Sequence, residues 1–255
     1  MNKIKFLGTA GGRFVVSRQI RKSGGIWLTL DDTNVLIDPG PGSLVRILSS
    51  KPKLNPRDLD GIILSHKHLD HSNDVNIIIE AMTNGGWDKK GVLFAPKEAL
   101  EDDPVVLNYI RNYLEKIEIL KEKKRYKIGN ISFDTPIKNI HHGVEGYSFN
   151  FFGKKTTISI ITDTKYFKDL EAKYKGDILI LNVVFYNNKK NFQHFDIADA
   201  EKIIAANKPK LTVLTHFGMT ILRKRPWEIA EKISNDLGVK VIAARDGLEI
   251  DLDNI

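Results

Sequence analysis

The chain has 255 residues, no cysteine, and 39 Lys+Arg against 32 Asp+Glu, for a formal net charge of +7. Without cysteine neither disulfides nor thiolate metal sites can form, so any metal has to be held by imidazole and carboxylate. The positive charge favours an anionic substrate mildly and falls short of a dedicated nucleic-acid binder, and no apolar run reaches the roughly 20 residues of a membrane span. The opening "MNKIKFLG" lacks the apolar core and small-residue cleavage site of a signal peptide, so a cytoplasmic protein without membrane contact is expected. The length suits one α/β domain over residues 1–255.

Taken in chain order, "KIKFLG" reads as a strand running into "GTAGG", a turn that resembles a phosphate loop but lacks its Lys-Ser/Thr. "IWLTL" and "NVLID" follow as strands, the second ending in Asp38 and a Pro/Gly turn, and a helix is expected over about 43–50. "GIILS" runs into His66, with a helix over about 72–83, then the strand "GVLFA" and a helix over about 104–117. "KEKKRYK" reads as a solvated charged face. "ISFDT", "YSFNFF", "TTISIITD" and "DILILNVV" are strands, the third ending in Asp163. A helix over about 196–206 has Asp196 as its cap, "LTVLT" runs into His216, and a helix over 226–237 opens on Pro226 and stops before Gly238. "KVIAA" closes the pattern, with no repeat or linker along the way.

The polar chemistry collects where these runs end. "LSHKHLDHSN" holds three of the chain's seven histidines and an aspartate within residues 66–71. Three imidazoles on one turn repel if protonated and compete for partners if neutral; a divalent cation resolves the conflict. His66 and His68 alternate and share a direction, while Asp70 and His71 lie past the turn into a helix. This ligand chemistry suits zinc and also manganese or iron, with zinc expected. Asp38 or Asp163 alone would be a turn-forming aspartate, but together with His66 and His216 at strand ends they outline one rim.

"HKHLDH" matches the His-x-His-x-Asp-His signature of the metallo-β-lactamase superfamily, and "LIDPGPG", "NIHHGVEGYSF", "ITDT" and "LTHFG" stand in the family's order around it. On these motifs the chain resembles that superfamily over essentially its whole length, which implies a four-layer αββα sandwich. The resemblance further implies a first metal on His66, His68 and His142, a second on Asp70, His71 and His216, and Asp163 bridging the two. Asp38 would orient ligands by hydrogen bonding. For the third histidine, "HGVEGYSF" looks closest to the family's His-Ser-Val-Glu-Thr-Tyr-Gly-Phe stretch and favours His142; His141 is the alternative.

Within the superfamily, the di-iron oxygen-reducing members carry glutamate where this chain has His68, and 53 positions between Asp163 and His216 (216 − 163) leave no room for a nuclease cap domain. His194, 22 positions before His216 (216 − 194), resembles the proton-transferring histidine of ribonuclease Z and of the cyclic phosphodiesterase of phosphonate breakdown. The transfer-RNA-gripping arm of ribonuclease Z has no counterpart. "LRKR" could set Arg223 or Lys224 near a phosphate or simply face solvent at the start of a helix. The implied activity is phosphodiester hydrolysis on two divalent ions: a metal-bridging hydroxide oriented by Asp70 attacks, and His194 protonates the leaving oxygen. Helix 104–117 is a candidate wall of the pocket. Small phosphodiesters and nucleic acid are the candidate substrates, and a homo-oligomer is compatible with the sequence. The competing expectations are a thioester or lactone hydrolase on the same metals and a non-catalytic binding protein on the same fold.

Overall fold

In the computed structural model, which describes residues 1–190 and 192–255, the apolar runs form two mixed sheets. The first contains β1 (Lys3–Phe6), β2 (Ile26–Leu30), β3 (Thr33–Ile37), β4 (Gly61–Ile63), β5 (Val92–Ala95) and β6 (Lys116–Ile119). The second contains β7 (Lys124–Ile128), β8 (Ile131–Thr135), β9 (Phe149–Phe152), β10 (Thr157–Ile161), β11 (Ile178–Phe185) with the short β12 (Phe195–Asp196) beside it, β13 (Leu211–Thr215) and β14 (Val241–Ala243). β15 (Glu249–Asp251) returns to the first sheet, antiparallel to β1. The helices are α1 (Arg13–Ser17), α2 (Ser43–Leu48), α3 (Leu69–Ser72), α4 (Val75–Met82), α5 (Ile197–Asn207), α6 (Met219–Leu222) and α7 (Pro226–Leu237).

Each sheet begins as an antiparallel meander and continues with parallel strands: β3 through β6 in one, β10, β11, β13 and β14 in the other. Parallel neighbours send their carboxyl ends to one edge, so the residues that follow β3, β4, β10 and β13 meet there.

The layers follow from alternation. On β11, Ile178 and Ile180 pack between the sheets with Phe133, Phe149 and Val213, while Leu179, Leu181 and Val183 face outward onto Ile203 and Ile204 of α5 and Ile233 of α7. A strand covered on both faces has to be almost wholly apolar, which explains the run "ILILNVVF", interrupted only by Asn182. On β2, Leu28 faces the inter-sheet core and Trp27 the opposite side, where Ile78, Ile79 and Met82 of α4 cover the first sheet. The result is the expected αββα sandwich. Caps close the helices as their residues dictate: Asp196 accepts from the Asp199 amide at 3.1 Å in a reciprocal capping box, and Gly238 ends α7 at φ +63°.

Two expected elements differ. The helix over 104–117 is a 3-10 turn, Asn108–Tyr113, followed by β6, and it packs on α4 through Val106 and Ile110 instead of walling the histidines. Val106, Ile110 and Leu114 recur at helical spacing, but "KIEI" gains a parallel neighbour along the free edge of β5, and that pairing ends the helical turn. "KEKKRYK" contributes most of β7, an edge strand whose Tyr126 and Ile128 point inward while its lysines face water. The helix expected over 72–83 is α4, Val75–Met82, and the short α3, Leu69–Ser72, precedes it. Among the described residues no helix is long and apolar enough to cross a membrane.

Candidate metal centre

The chain reaches the site through tight strand ends. Asp38, just past β3, and His216, just past β13, both take left-handed backbone at φ +53° and +61°. Such geometry costs a non-glycine residue on the order of 1 kcal/mol and persists only where the surroundings enforce it. The neighbouring turns pass so close to the site's backbone that they require glycine: a Cβ on Gly40 would sit 2.0 Å from the Asp70 carbonyl oxygen, and one on Gly11 1.9 Å from that of His216. The "DPGPG" and "GTAGG" turns thus let backbone lie directly against the residues that carry the site.

His66, His68 and His141 form one cluster. His66 Nε2 and His141 Nε2 each lie 3.0 Å from His68 Nδ1. The Nδ1 atoms of the outer two are already engaged, by the Ser65 hydroxyl at 2.9 Å and by the Gln193 carbonyl at 2.9 Å. Donation from His141 Nδ1 to that carbonyl leaves its Nε2 as a lone pair aimed at the other two rings. Two nitrogens bound to one tetrahedral zinc at ordinary bond lengths stand about 3.3 Å apart, close to the observed separations.

Asp70, His71, Asp163 and His216 form the second cluster. Asp163 Oδ2 lies 3.5 Å from His71 Nε2 and 3.3 Å from His216 Nε2, and the Asp70 carboxylate lies 3.7 Å from both. The same Asp163 oxygen is 3.9 Å from His141 Nε2, so it faces both clusters. The Nε2 atoms of His71 and His216 are buried with no hydrogen-bond partner. Orphaned ring nitrogens aimed at two carboxylates are the donor set a divalent cation requires, so the residues fit a metal.

A short relay fixes the rings. Asp38 accepts from the Ser65 amide and hydroxyl, both at 2.6 Å, and contacts His71 Nδ1 at 2.8 Å; Ser65 in turn contacts His66. One carboxylate therefore sets the tautomer of His71 and, through Ser65, the orientation of His66. Asp163 is held by Asn182, whose Nδ2 donates to Oδ1 at 2.8 Å and leaves Oδ2 for the clusters. Ser65, Asn182 and Gln193 carry no signature in the sequence; only their position beside the charged groups reveals them.

The structure corrects the third histidine: His141 enters the first cluster and His142 does not. The buried Asn139 side chain donates to Thr162 Oγ1 at 3.0 Å and to the Asp163 carbonyl at 3.2 Å, anchoring this segment to the end of β10. Alternation then sends Ile140 outward and His141 inward at 3 % exposure, while His142 is exposed at φ +44° at the start of the turn with Gly143. The His-Gly pair marks that turn.

His194 does reach the site. Its Nδ1 is 3.4 Å from Asp163 Oδ2, and its ring stands 4.7 Å from that of His141. Arg223 and Lys224 are exposed at the end of α6.

The rings of the first cluster and His71 of the second shift in opposite directions. Burial lowers His66 and lowers His68 and His141 to about 4, so these rings are neutral at neutral pH. Burial also acts to lower His71, but Asp163, Asp70 and Asp38 outweigh it and raise the ring well above its ordinary value. Burial would raise Asp163, and the surrounding His216, His71 and His194 reverse it and hold the carboxyl well below its usual range. His194 is lowered to about 4, mainly by burial.

Residues 33–217 match the family model for the beta-lactamase superfamily domain. The chain is 32 % identical to the uncharacterized protein MJ1374 of Methanocaldococcus jannaschii, covering 99 % of this chain and 96 % of that one. It is 22 % identical to a ribonuclease Z of Clostridium novyi over 80 % of this chain and 71 % of that one. Among solved structures, the metallo-β-lactamase fold protein YhfI from Bacillus subtilis superposes with a TM-score of 0.77 at 18 % identity, covering 98 % of each chain. Zinc-bound PqqB from Methylobacterium extorquens gives 0.74 at 15 % identity, covering 98 % of this chain and 100 % of that one. These two likenesses establish the fold.

Proposed function

This chain belongs to the beta-lactamase superfamily, and we propose that it is a metal-dependent hydrolase that cleaves phosphodiesters with two divalent ions, zinc foremost. His66, His68 and His141 would hold one ion, Asp70, His71 and His216 the other, with Asp163 between them. When bound, such ions supply Lewis-acid polarisation of a phosphoryl oxygen and acidify water.

The observation that carries the phosphodiester reading is the approach of His194 Nδ1 to 3.4 Å from Asp163 Oδ2, the oxygen that faces both clusters. A group reacting at the clusters lies within reach of this ring. His194 donates a proton to the departing alkoxide, which otherwise leaves badly. Burial keeps the free ring neutral at neutral pH; the negative charge of a bound phosphodiester favours its protonated form. Asp70, partly open to solvent, accepts a hydrogen bond from the attacking water and aims it. Asp38 and Ser65 hold the rings of His71 and His66 in register. The similarity to a ribonuclease Z supports the same reading. A thioester or lactone hydrolase would leave His194 with less to do, since a thiolate departs without a proton.

The test is a panel of phosphodiesters, thioesters, lactones and RNAs with metal-replete protein, repeated with His194→Ala. Turnover of a diester with a poor alkoxide leaving group should fall roughly 10² to 10⁴-fold, the usual worth of a positioned general acid, and much less with nitrophenolate. Equal losses on both substrates would remove His194 as proton donor, and preference for a thioester or lactone would overturn the phosphodiester assignment.

A further inference from the structure

The His194 side of the site continues into a ledge for which the reaction above has no use. β11 ends at Phe185, whose ring lies 6.0 Å from that of His194 and stacks at 5.5 Å and 15° on Phe192 across the loop. Phe192 and Tyr186 are each 44 % exposed. Both are tethered: the Asn188 side chain donates to the carbonyls of Phe192 at 2.7 Å and His194 at 3.0 Å, and the Tyr186 amide donates to Thr220 Oγ1 at 3.0 Å.

The ledge is also basic. The Lys224 ammonium stands 5.7 Å from the Tyr186 ring centroid, and Lys189, Lys190 and Arg223 are exposed nearby in sequence. Arg225 pairs with Glu228 at 2.7 Å, whereas among the described residues no carboxylate pairs with Lys189, Lys190, Arg223 or Lys224. Single exposed aromatics are ordinary on protein surfaces. A tethered Phe192 ring joined to His194 through Phe185, with Tyr186, next along the chain, under the unpaired Lys224, is different: such groups can stack a flat ring while balancing phosphate charge.

We propose that Phe192 and Tyr186 form the subsite for the leaving alcohol, and that this alcohol carries a flat aromatic ring, a nucleobase foremost, stacked on Phe192. The proposal rests on the phosphodiesterase reading, because His194 as proton donor is what puts the leaving group on this side. Water adds across the scissile P–O bond: its oxygen bonds to phosphorus, and a proton delivered through His194 goes to the leaving oxygen. Lys224 and the loop lysines balance any further phosphate on the departing fragment.

Three diesters test this, each with thymidine 3′-phosphate joined to a ribose 5′-hydroxyl, the departing ribose carrying adenine, a phenyl ring or no base. The reacting oxygen is the same in all three, so differences report the ring. Metal-replete wild type should favour the two ring-bearing diesters in kcat/KM, and Phe192→Ala should shrink that preference roughly 5 to 100-fold, the range for loss of one stacking partner. Phe192→Tyr should retain it. Adenine well above phenyl marks a nucleobase subsite, and equality marks a general aromatic one. Unfolding midpoints and metal content check each variant; should Phe192→Ala not fold, Phe192→Leu against Phe192→Tyr makes the same comparison. If wild type cleaves all three diesters alike, or the preference survives loss of the Phe192 ring, the ledge is not the subsite and the phosphodiester reading stands. If wild type cleaves none of them, that reading fails, and calorimetric binding of AMP against ribose 5-phosphate decides the ledge. AMP binding tighter, and weakened by Phe192→Ala, would keep an aromatic-ligand site; equal binding would overturn it.

Discussion

The imidazole cluster and the carboxylate cluster meet at one oxygen of Asp163 and bury their polar groups in opposite ways. His66, His68 and His141 are neutral rings whose nitrogens crowd to 3.0 Å, with no carboxylate among the described residues within 4 Å beyond the shared one. His71 and His216 instead face Asp70 and Asp163 at 3.3 to 3.7 Å, and those acids raise His71 where burial alone would lower it. An ion in the first cluster relies on Asp163 for charge balance, whereas one in the second also has Asp70. If two ions bind as proposed, Asp163 carries the larger burden and the first cluster should empty the more easily.

The largest effect should follow from breaking the shared point. Asp163→Ala is expected to lower occupancy of both ions and to reduce turnover by more than the 10 to 100-fold typical of residues that only orient ligands. Elemental analysis finding both ions retained would end the bridging assignment. Next, His141→Ala should empty the first cluster alone and abolish most turnover, while His142→Ala should keep both ions and measurable activity. Metal content of the two purified variants decides, and the reverse result would return the ligand role to His142.

Ser65→Ala sharpens the comparison further, because Ser65 touches both Asp38 and His66. Metal affinity should fall by roughly 10 to 100-fold, the range for residues that position ligands, with the larger change in the ion on His66; competition with a chromogenic chelator measures it. The smallest effect concerns pH. With metal chelated, His68, His141 and His194 have folded values near 4, below the roughly 6.5 of an unfolded histidine. Their contribution is present above 6.5 and is lost as pH falls toward 4, because the unfolded chain then binds more protons. His71, raised in the fold, acts in reverse: its contribution is full below 6.5 and is lost as pH rises through its folded value. Denaturation midpoints of chelated protein should therefore decline between about pH 6.5 and 4; a flat profile there would mean that the imidazole cluster is not held neutral.

Local chemistry made much of the molecule readable. "ILILNVVF" announces a strand covered on both faces, Pro226 and Gly238 bound α7, Asp196 caps α5, and "HKHLDH" places two pairs of candidate ligands, one on each side of a turn. Each of these depends on contacts within a few residues, so periodicity and side-chain type suffice.

Other features were decided by partners far along the chain. "KIEI" becomes β6 only because β5 offers a free parallel edge, which cut short a segment whose apolar spacing was helical. His141 turns inward because Asn139 bonds Thr162 and Asp163, more than 20 positions away, and nothing in "NIHHG" encodes that anchor. The roles of Ser65, Asn182 and Gln193 likewise arise when strand ends bring them against Asp38, Asp163 and His141. The sequence by itself determined which residue types could hold a metal and on which strand ends they stand; only the tertiary structure decided which of two neighbouring side chains points at it, because that choice belongs to hydrogen bonds between segments and not to the residues themselves.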